Sequence, residues 1–117
     1  MSYEIRNLVN AVIGETQYPK FEVYDVDGYT DFSLSSATYK FIGMSSGSTV
    51  LSGSSVVDNS DTDTAGNTIK TIQSTLDLTG TDIIAGDYLL VFTVTLSDGS
   101  VHKFRVLYEI ADSEEVY

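Results

Sequence analysis

The sequence predicts an all-β protein, a single sandwich of about seven antiparallel strands. Three observations predict it. Turn residues recur at roughly ten-residue intervals, and the segments between them alternate apolar with polar side chains. Tyr, Thr, Val and Ser are abundant, which favours strands and turns over helices. The stretch from Gly86 to Ile110 then reads as two long strands joined by Ser97-Asp98-Gly99.

The register of that hairpin follows from its side chains. A two-residue loop at Asp98-Gly99 would set Phe92 against Arg105 and Val94 against Lys103 on a buried face. A three-residue loop with Gly99 in the left-handed conformation shifts the partner by one position. Tyr88, Leu90, Phe92, Val94 and Leu96 then share a face with His102, Phe104, Val106, Tyr108 and Ile110. Thr93, Thr95, Lys103 and Arg105 turn to water. Because a slip of one residue exchanges every side chain between faces, this pattern fixes the pairing.

The 117 residues suffice for one domain that buries about two thirds of its unfolded surface. Aliphatic and aromatic residues make up 42%, enough to exclude wholesale disorder. Seventeen acidic against six basic residues give a formal charge of −11. Binding to a phosphate backbone needs clustered Lys and Arg, and an anionic membrane would repel this charge. The expected partners therefore include no nucleic acid and no membrane. The bland meaning of the charge is a solvated acidic surface that keeps the protein soluble. With no Cys, there is no disulfide, thiolate metal site or Cys nucleophile. The N-terminus lacks the pattern of a secretion signal, and no run approaches a membrane span. The expectation is a complete small protein made in a cytoplasm, with residues 1–7 as an N-terminal arm and 112–117 as an acidic tail.

Taken in order, residues 4–13 are ambiguous. Ile5, Leu8, Val9 and Val12 fall at helical spacing with Gly14 as a stop, while Leu8 to Ile13 also reads as a short strand. The β character of the remainder favours the strand, since a lone short helix is marginal. As an arm, the segment would offer Leu8, Val9 and Val12 for partner contact. Pro19 stands at the mouth of an alternating strand over Phe21 to Val26, where no ladder donor is missed. After a loop from Asp27-Gly28, the strand Thr38 to Ile42 sends Ala37, Tyr39 and Phe41 to one side and Lys40 to the other. Residues 43–67 are rich in Gly, Ser, Asp, Asn and Thr. Thr49-Val50-Leu51 and Ser55-Val56-Val57 read as two small edge strands around Gly53, and 58–67 as a mobile polar loop. One strand over Thr68 to Leu78 buries Ile72, Ser74, Leu76 and Leu78. Ile69 is out of phase, which predicts a bulge near Lys70-Thr71. Tyr88, just after Gly86, stands where immunoglobulin-type sandwiches keep a corner tyrosine whose hydroxyl bonds back to the preceding backbone. Ile84 stands where an acidic residue is usual, with Asp82 near. The fold class is therefore an immunoglobulin-like β-sandwich.

Candidate chemistry is sparse. His102, the single histidine, faces inward beside the hairpin turn, without the partners that a metal or catalytic role needs. No nucleophile elbow or phosphate-binding glycine loop occurs. Two acidic clusters are weak calcium candidates, Asp25, Asp27 and Asp31 in one, Asp61 and Asp63 in the other. In the second, Thr64 occupies the position of the loop glycine and Lys70 that of the bidentate Glu. Solvated turns are the better reading of both. No catalytic residue, metal or cofactor is expected. Tyr88, Phe92, Phe104, Gly99 and His102 are structural.

The chain resembles the small immunoglobulin-like modules of tailed-phage virions, in particular the N-terminal domain of baseplate upper proteins and related neck, tail and head-decoration domains. The resemblance rests on Gly14-Glu15-Thr16, Tyr24-Asp25-Val26-Asp27-Gly28, Asp31 to Phe41, Ala85-Gly86-Asp87-Tyr88 and Ser97-Asp98-Gly99-Ser100. It spans residues 8–111. Baseplate upper proteins continue into a long C-terminal region that this sequence lacks, which favours a free-standing accessory subunit. The resemblance implies a virion structural protein, not an enzyme, bound to capsid, neck, tail or baseplate proteins. Homo-oligomers fit such a role. Segment 1–13 and loop 97–100 are the implied contact regions, with loop 58–67 pointing outward. The alternative is a cell-surface or carbohydrate-binding sandwich module. Eight Tyr and the acidic loops support it, and the absence of Trp, the usual sugar platform, weakens it.

Overall fold

The computed structural model describes residues 2–8, 16–79 and 83–110. Every regular element among them is a strand: β1 (Tyr3–Asn7), β2 (Thr16–Gln17), β3 (Lys20–Asp25), β4 (Leu34–Gly43), β5 (Thr49–Thr62), β6 (Thr68–Gln73), β7 (Leu76–Asp77), β8 (Gly86–Leu96) and β9 (Val101–Ile110). Seven of them form one antiparallel sheet in the order β1-β3-β6-β5-β4-β8-β9, and β2 pairs with β7. The two ends of that order approach each other, with the Tyr3 and His102 rings 4.8 Å apart. The sheet is thus nearly barrel-shaped.

The β8–β9 hairpin has the predicted register. Phe92 opposes Phe104, Val94 opposes His102 and Tyr88 opposes Tyr108. Gly99 has φ 88°, and its N–H donates to the Leu96 carbonyl at 3.0 Å while Leu96 N–H donates to the Ser100 carbonyl at 2.9 Å. That is a three-residue loop closed by a left-handed residue. The alternation on β8 is strict: Tyr88, Leu90, Phe92, Val94 and Leu96 are all buried. The edge strand β9 buries Tyr108 and Ile110, and leaves His102, Phe104 and Val106 half-buried. Ala37, Tyr39 and Phe41 on β4 are buried as their spacing predicts.

The interior is where the curled sheet meets itself. Phe21 on β3 touches Phe92 on β8 edge-to-face at 5.2 Å, although β6, β5 and β4 separate those strands in the sheet. Phe41 stacks on Tyr88 at 4.7 Å and meets Tyr108 edge-on at 5.6 Å. Such aromatic pairs add about 0.5–1.5 kcal/mol each beyond their area.

Several expectations are corrected. Tyr3–Asn7 is a strand paired with β3, from Tyr3 opposite Asp25 to Asn7 opposite Phe21; no short N-terminal helix begins there. The continuation over 9–13 lies outside the described residues. The two small edge strands are one strand of 14 residues, β5. Its first half pairs with β4 up to Ser55, and its second half pairs with β6 from Val56. The expected polar loop 58–67 is therefore strand as far as Thr62. Only the turn beyond remains, and Asp63 Oδ1 holds it by accepting the N–H groups of Ala65 and Asn67, each at 2.9 Å. The single strand over 68–78 is two, β6 and β7, parted at Ser74-Thr75. The irregularity that buries Ile69 lies between Asp58 and Asp61 of the opposing β5.

The two facing tyrosines give opposed predictions. The Tyr88 hydroxyl donates to the Ile84 carbonyl at 2.7 Å and accepts its N–H at 3.1 Å. The Tyr108 hydroxyl is buried with no hydrogen-bond partner among the described residues, and burial pushes its pKa up to about 12. Tyr88→Phe is expected to lower stability by about 1–2 kcal/mol, whereas Tyr108→Phe is neutral or stabilising by up to about 1 kcal/mol. The sign of the pH effect follows from the raised value. The protonated Tyr108 contributes fully below pH 10.0, the ordinary value, and the contribution is lost as pH rises toward about 12. Urea titrations at neutral and alkaline pH check both, with Tyr108→Phe showing the shallower alkaline decline.

Candidate functional site

The side chains singled out in the sequence occupy separate places. His102 lies half-buried at the seam between β9 and β1, its Nε2 3.1 Å from Ser100 Oγ and its ring against Tyr3. The ring thus bridges the two end strands of the sheet, β9 and β1. In the first acidic cluster Asp25 is buried and its Oδ1 accepts the Asp27 N–H at 2.8 Å, while Asp27 and Asp31 are exposed. In the second, Asp61 and Asp63 diverge. Asp63 caps its turn, and Asp61 accepts from Lys20 Nζ at 2.7 Å, Thr62 N–H at 2.8 Å and Thr71 Oγ1 at 3.0 Å. Among the described residues no three His, Cys, Asp or Glu side chains gather as a cation site.

The bonds to Asp61, led by the one from Lys20, hold its carboxyl below the ordinary carboxylate value. A depressed folded-state pKa gives stability that is fully present above the ordinary 3.8 and is lost as pH falls through the depressed value. Asp61→Asn is expected to lower Tm at neutral pH and to flatten the decline of Tm as pH falls below 3.8. Asp63, Asp77 and Asp98 are depressed by their own turn hydrogen bonds, so part of the acid decline persists in the variant.

One concavity brings distant segments together. Glu22, Asp25, Tyr29, Phe32 and Lys70 line an open cleft of about 120 Å³ between the β3–β4 loop and the start of β6. Lys70 Nζ donates to the Thr30 carbonyl at 3.0 Å and stands 4.8 Å above the Phe32 ring, which pins the loop over the sheet. Asp25 Oδ2 is buried there without a hydrogen-bond partner among the described residues. The volume falls well short of the ~300–1,000 Å³ of enclosed small-molecule sites. Sequence reading missed the cleft because its two sides are about forty positions apart. The pairing of Val23 with Lys70 creates it.

The expected contact segments are only partly described. Leu8 is 41% exposed, and its N–H donates to the Lys20 carbonyl at 2.8 Å; Val9 and Val12 lie outside the described residues. The loop 97–100 is rigid in its bonding, with Asp98 Oδ1 accepting both the N–H and the hydroxyl of Ser100 at 2.8 and 2.6 Å. The all-β architecture is the class that the fold defines. No family model, curated protein or solved structure matches the chain.

Proposed function

We propose that this chain is a non-enzymatic structural protein of a tailed-phage virion, an accessory subunit with an immunoglobulin-like sandwich that binds capsid, neck, tail or baseplate proteins. The observation that carries the reading is the Tyr88 corner. Its hydroxyl ties to both backbone groups of Ile84, at the opening of a long strand, as the corner tyrosine of immunoglobulin-type sandwiches does. This supports the fold that the resemblance implies, and through it the virion role. Further support comes from the way the polar side chains are engaged, in turn caps and cross-strand pairs rather than around a reacting centre. Such a subunit acts by burying a surface on assembly and stabilising the particle by mass action. It works in the virion after synthesis in the host cytoplasm, with no cofactor.

The test is co-sedimentation of purified protein with emptied capsids and, separately, with isolated tails. Binding at a fixed number of copies per particle is expected with one of them. Absence from both pellets would overturn the proposal. A second reading, carbohydrate binding, draws on the cleft, where Tyr29 is 56% exposed beside Asp25, Phe32 and Lys70. A glycan array in which signal is lost with Tyr29→Ala would favour it.

A further inference from the structure

The chain carries six cationic side chains, and they divide cleanly. Arg6 pairs with Glu22 at 3.6 Å and lies over the Tyr24 ring, Lys20 pairs with Asp61, and Lys70 is held by Thr30 and Phe32. Lys70 has no carboxylate partner either, but the other three, Lys40, Lys103 and Arg105, have no ion pair, side-chain hydrogen bond or ring contact at all among the described residues, and all three are on one surface. Register places Lys40 beside Val91 and Val91 beside Arg105, with Thr38, Thr93 and Lys103 in the next row. On the other side comes an apolar row of Ile42, Leu89 and Leu107. Leu107 is 66% exposed. These residues alternate with the buried ones, so they form the outer face of β4, β8 and β9.

Two ordinary explanations fall short. Charges on an edge strand discourage unwanted pairing, which suits Lys103 and Arg105 on β9, but Lys40 lies on β4, inside the sheet. A merely solvated face intersperses both signs, whereas carboxylates enter this one only at its far end, where Asp87 opposes Glu109. A basic, partly apolar face on a protein of charge −11 is complementary to the rest of that protein's own surface. The best match is the loop end, where Asp27 and Asp31 are exposed beside Val26 and Tyr29, 47% and 56% exposed. Asp98 adds to the negative field there: burial first, then the charges of Asp25, Asp98 and Asp31, raise the Tyr3 phenol pKa.

We propose that the outer face of β4, β8 and β9 binds the β3–β4 loop of a second copy of this chain, Lys103 and Arg105 meeting Asp27 and Asp31 while Leu107 covers Tyr29. Where each copy gives its loop to one neighbour and its face to another, the contact is head-to-tail and builds rings or filaments; a reciprocal loop-to-face contact closes a two-fold dimer. It rests on no assumption about virion binding. Salt acts in two ways. Near physiological ionic strength the Debye length of about 8 Å screens the net repulsion between copies but spares contact pairs; near 1 M, at about 3 Å, those pairs are screened too.

Sedimentation velocity over a dilution series tests it. The wild type is expected to gain mass with concentration at about 0.15 M salt and to lose that gain near 1 M. K103E/R105E and D27K/D31K are each expected to weaken association by roughly tenfold or more. Mixing the two variants restores it, because each reversed patch then meets its complement on the other chain. Thermal melts confirm that both variants fold; should either fail, K103Q/R105Q takes its place and is expected to weaken association in the same direction. A wild type that stays a single chain throughout would overturn the proposal, as would association indifferent to salt or to the face variants. Loss with the face variant but not with the loop variant overturns the loop as the occupant.

Discussion

Phe92→Ala is expected to destabilise the protein by about 3–5 kcal/mol, the largest effect of any single substitution considered. Phe92 is fully buried and meets two sides of the curled sheet at once. It faces Phe104 across the hairpin and touches Phe21 on the far side of the interior at 5.2 Å. Truncation removes the contact between those sides and leaves a cavity that rigid strands close only in part. Single domains have roughly 5–15 kcal/mol of stability in total, so the loss is a large share of it. Urea unfolding should show a lower midpoint with an unchanged slope. Leu107→Ala, on the solvent side of the same hairpin, should stay within about 0.5 kcal/mol of wild type.

Gly53→Val follows, with an expected cost of about 1–3 kcal/mol. Gly53 lies opposite Tyr39, and a Cβ there would stand 3.3 Å from Tyr39 Cε1 and 3.4 Å from its hydroxyl oxygen. The ring lies over the glycine and reaches past it to donate to the Thr75 carbonyl at 2.8 Å. The branched side chain forces the ring aside and breaks that bond. Gly53 is needed for this close approach, at the stretch where β5 is about to pass from β4 to β6. The effect should shrink in a Tyr39→Leu background, since the coupling lies between those two side chains. A double-mutant cycle read by urea unfolding checks it.

The same strand shows where sequence reading reached its limit. β5 has no fully buried residue anywhere along its length. It is held by backbone ladders to β4 and then β6, and by side-chain bonds to main chain, such as Asn59 Oδ1 and Nδ2 meeting the N–H and carbonyl of Leu34 at 2.7 and 3.0 Å. Hydropathy patterning detects burial. A strand built from Ser, Asp, Asn and Gly that buries little therefore resembles a loop. The β3–β4 cleft and the Lys20–Asp61 pair were hidden for a related reason, since each depends on which strands become neighbours.

The amino-acid sequence alone determined the β8–β9 hairpin with its register, the inward faces of β4 and β8, and the bond of the Tyr88 hydroxyl back to the preceding backbone. Each depends on alternation or turn chemistry within a few residues, where steric rules operate locally. Tertiary structure decided the course of β5, the docking of β1 on β3 and the near closure of the sheet. It also gathered on one outer face three cations that have no ion-pair partner among the described residues. Those outcomes depend on which distant segments supply the missing hydrogen-bond partners, and a backbone donor carries no record of its eventual acceptor.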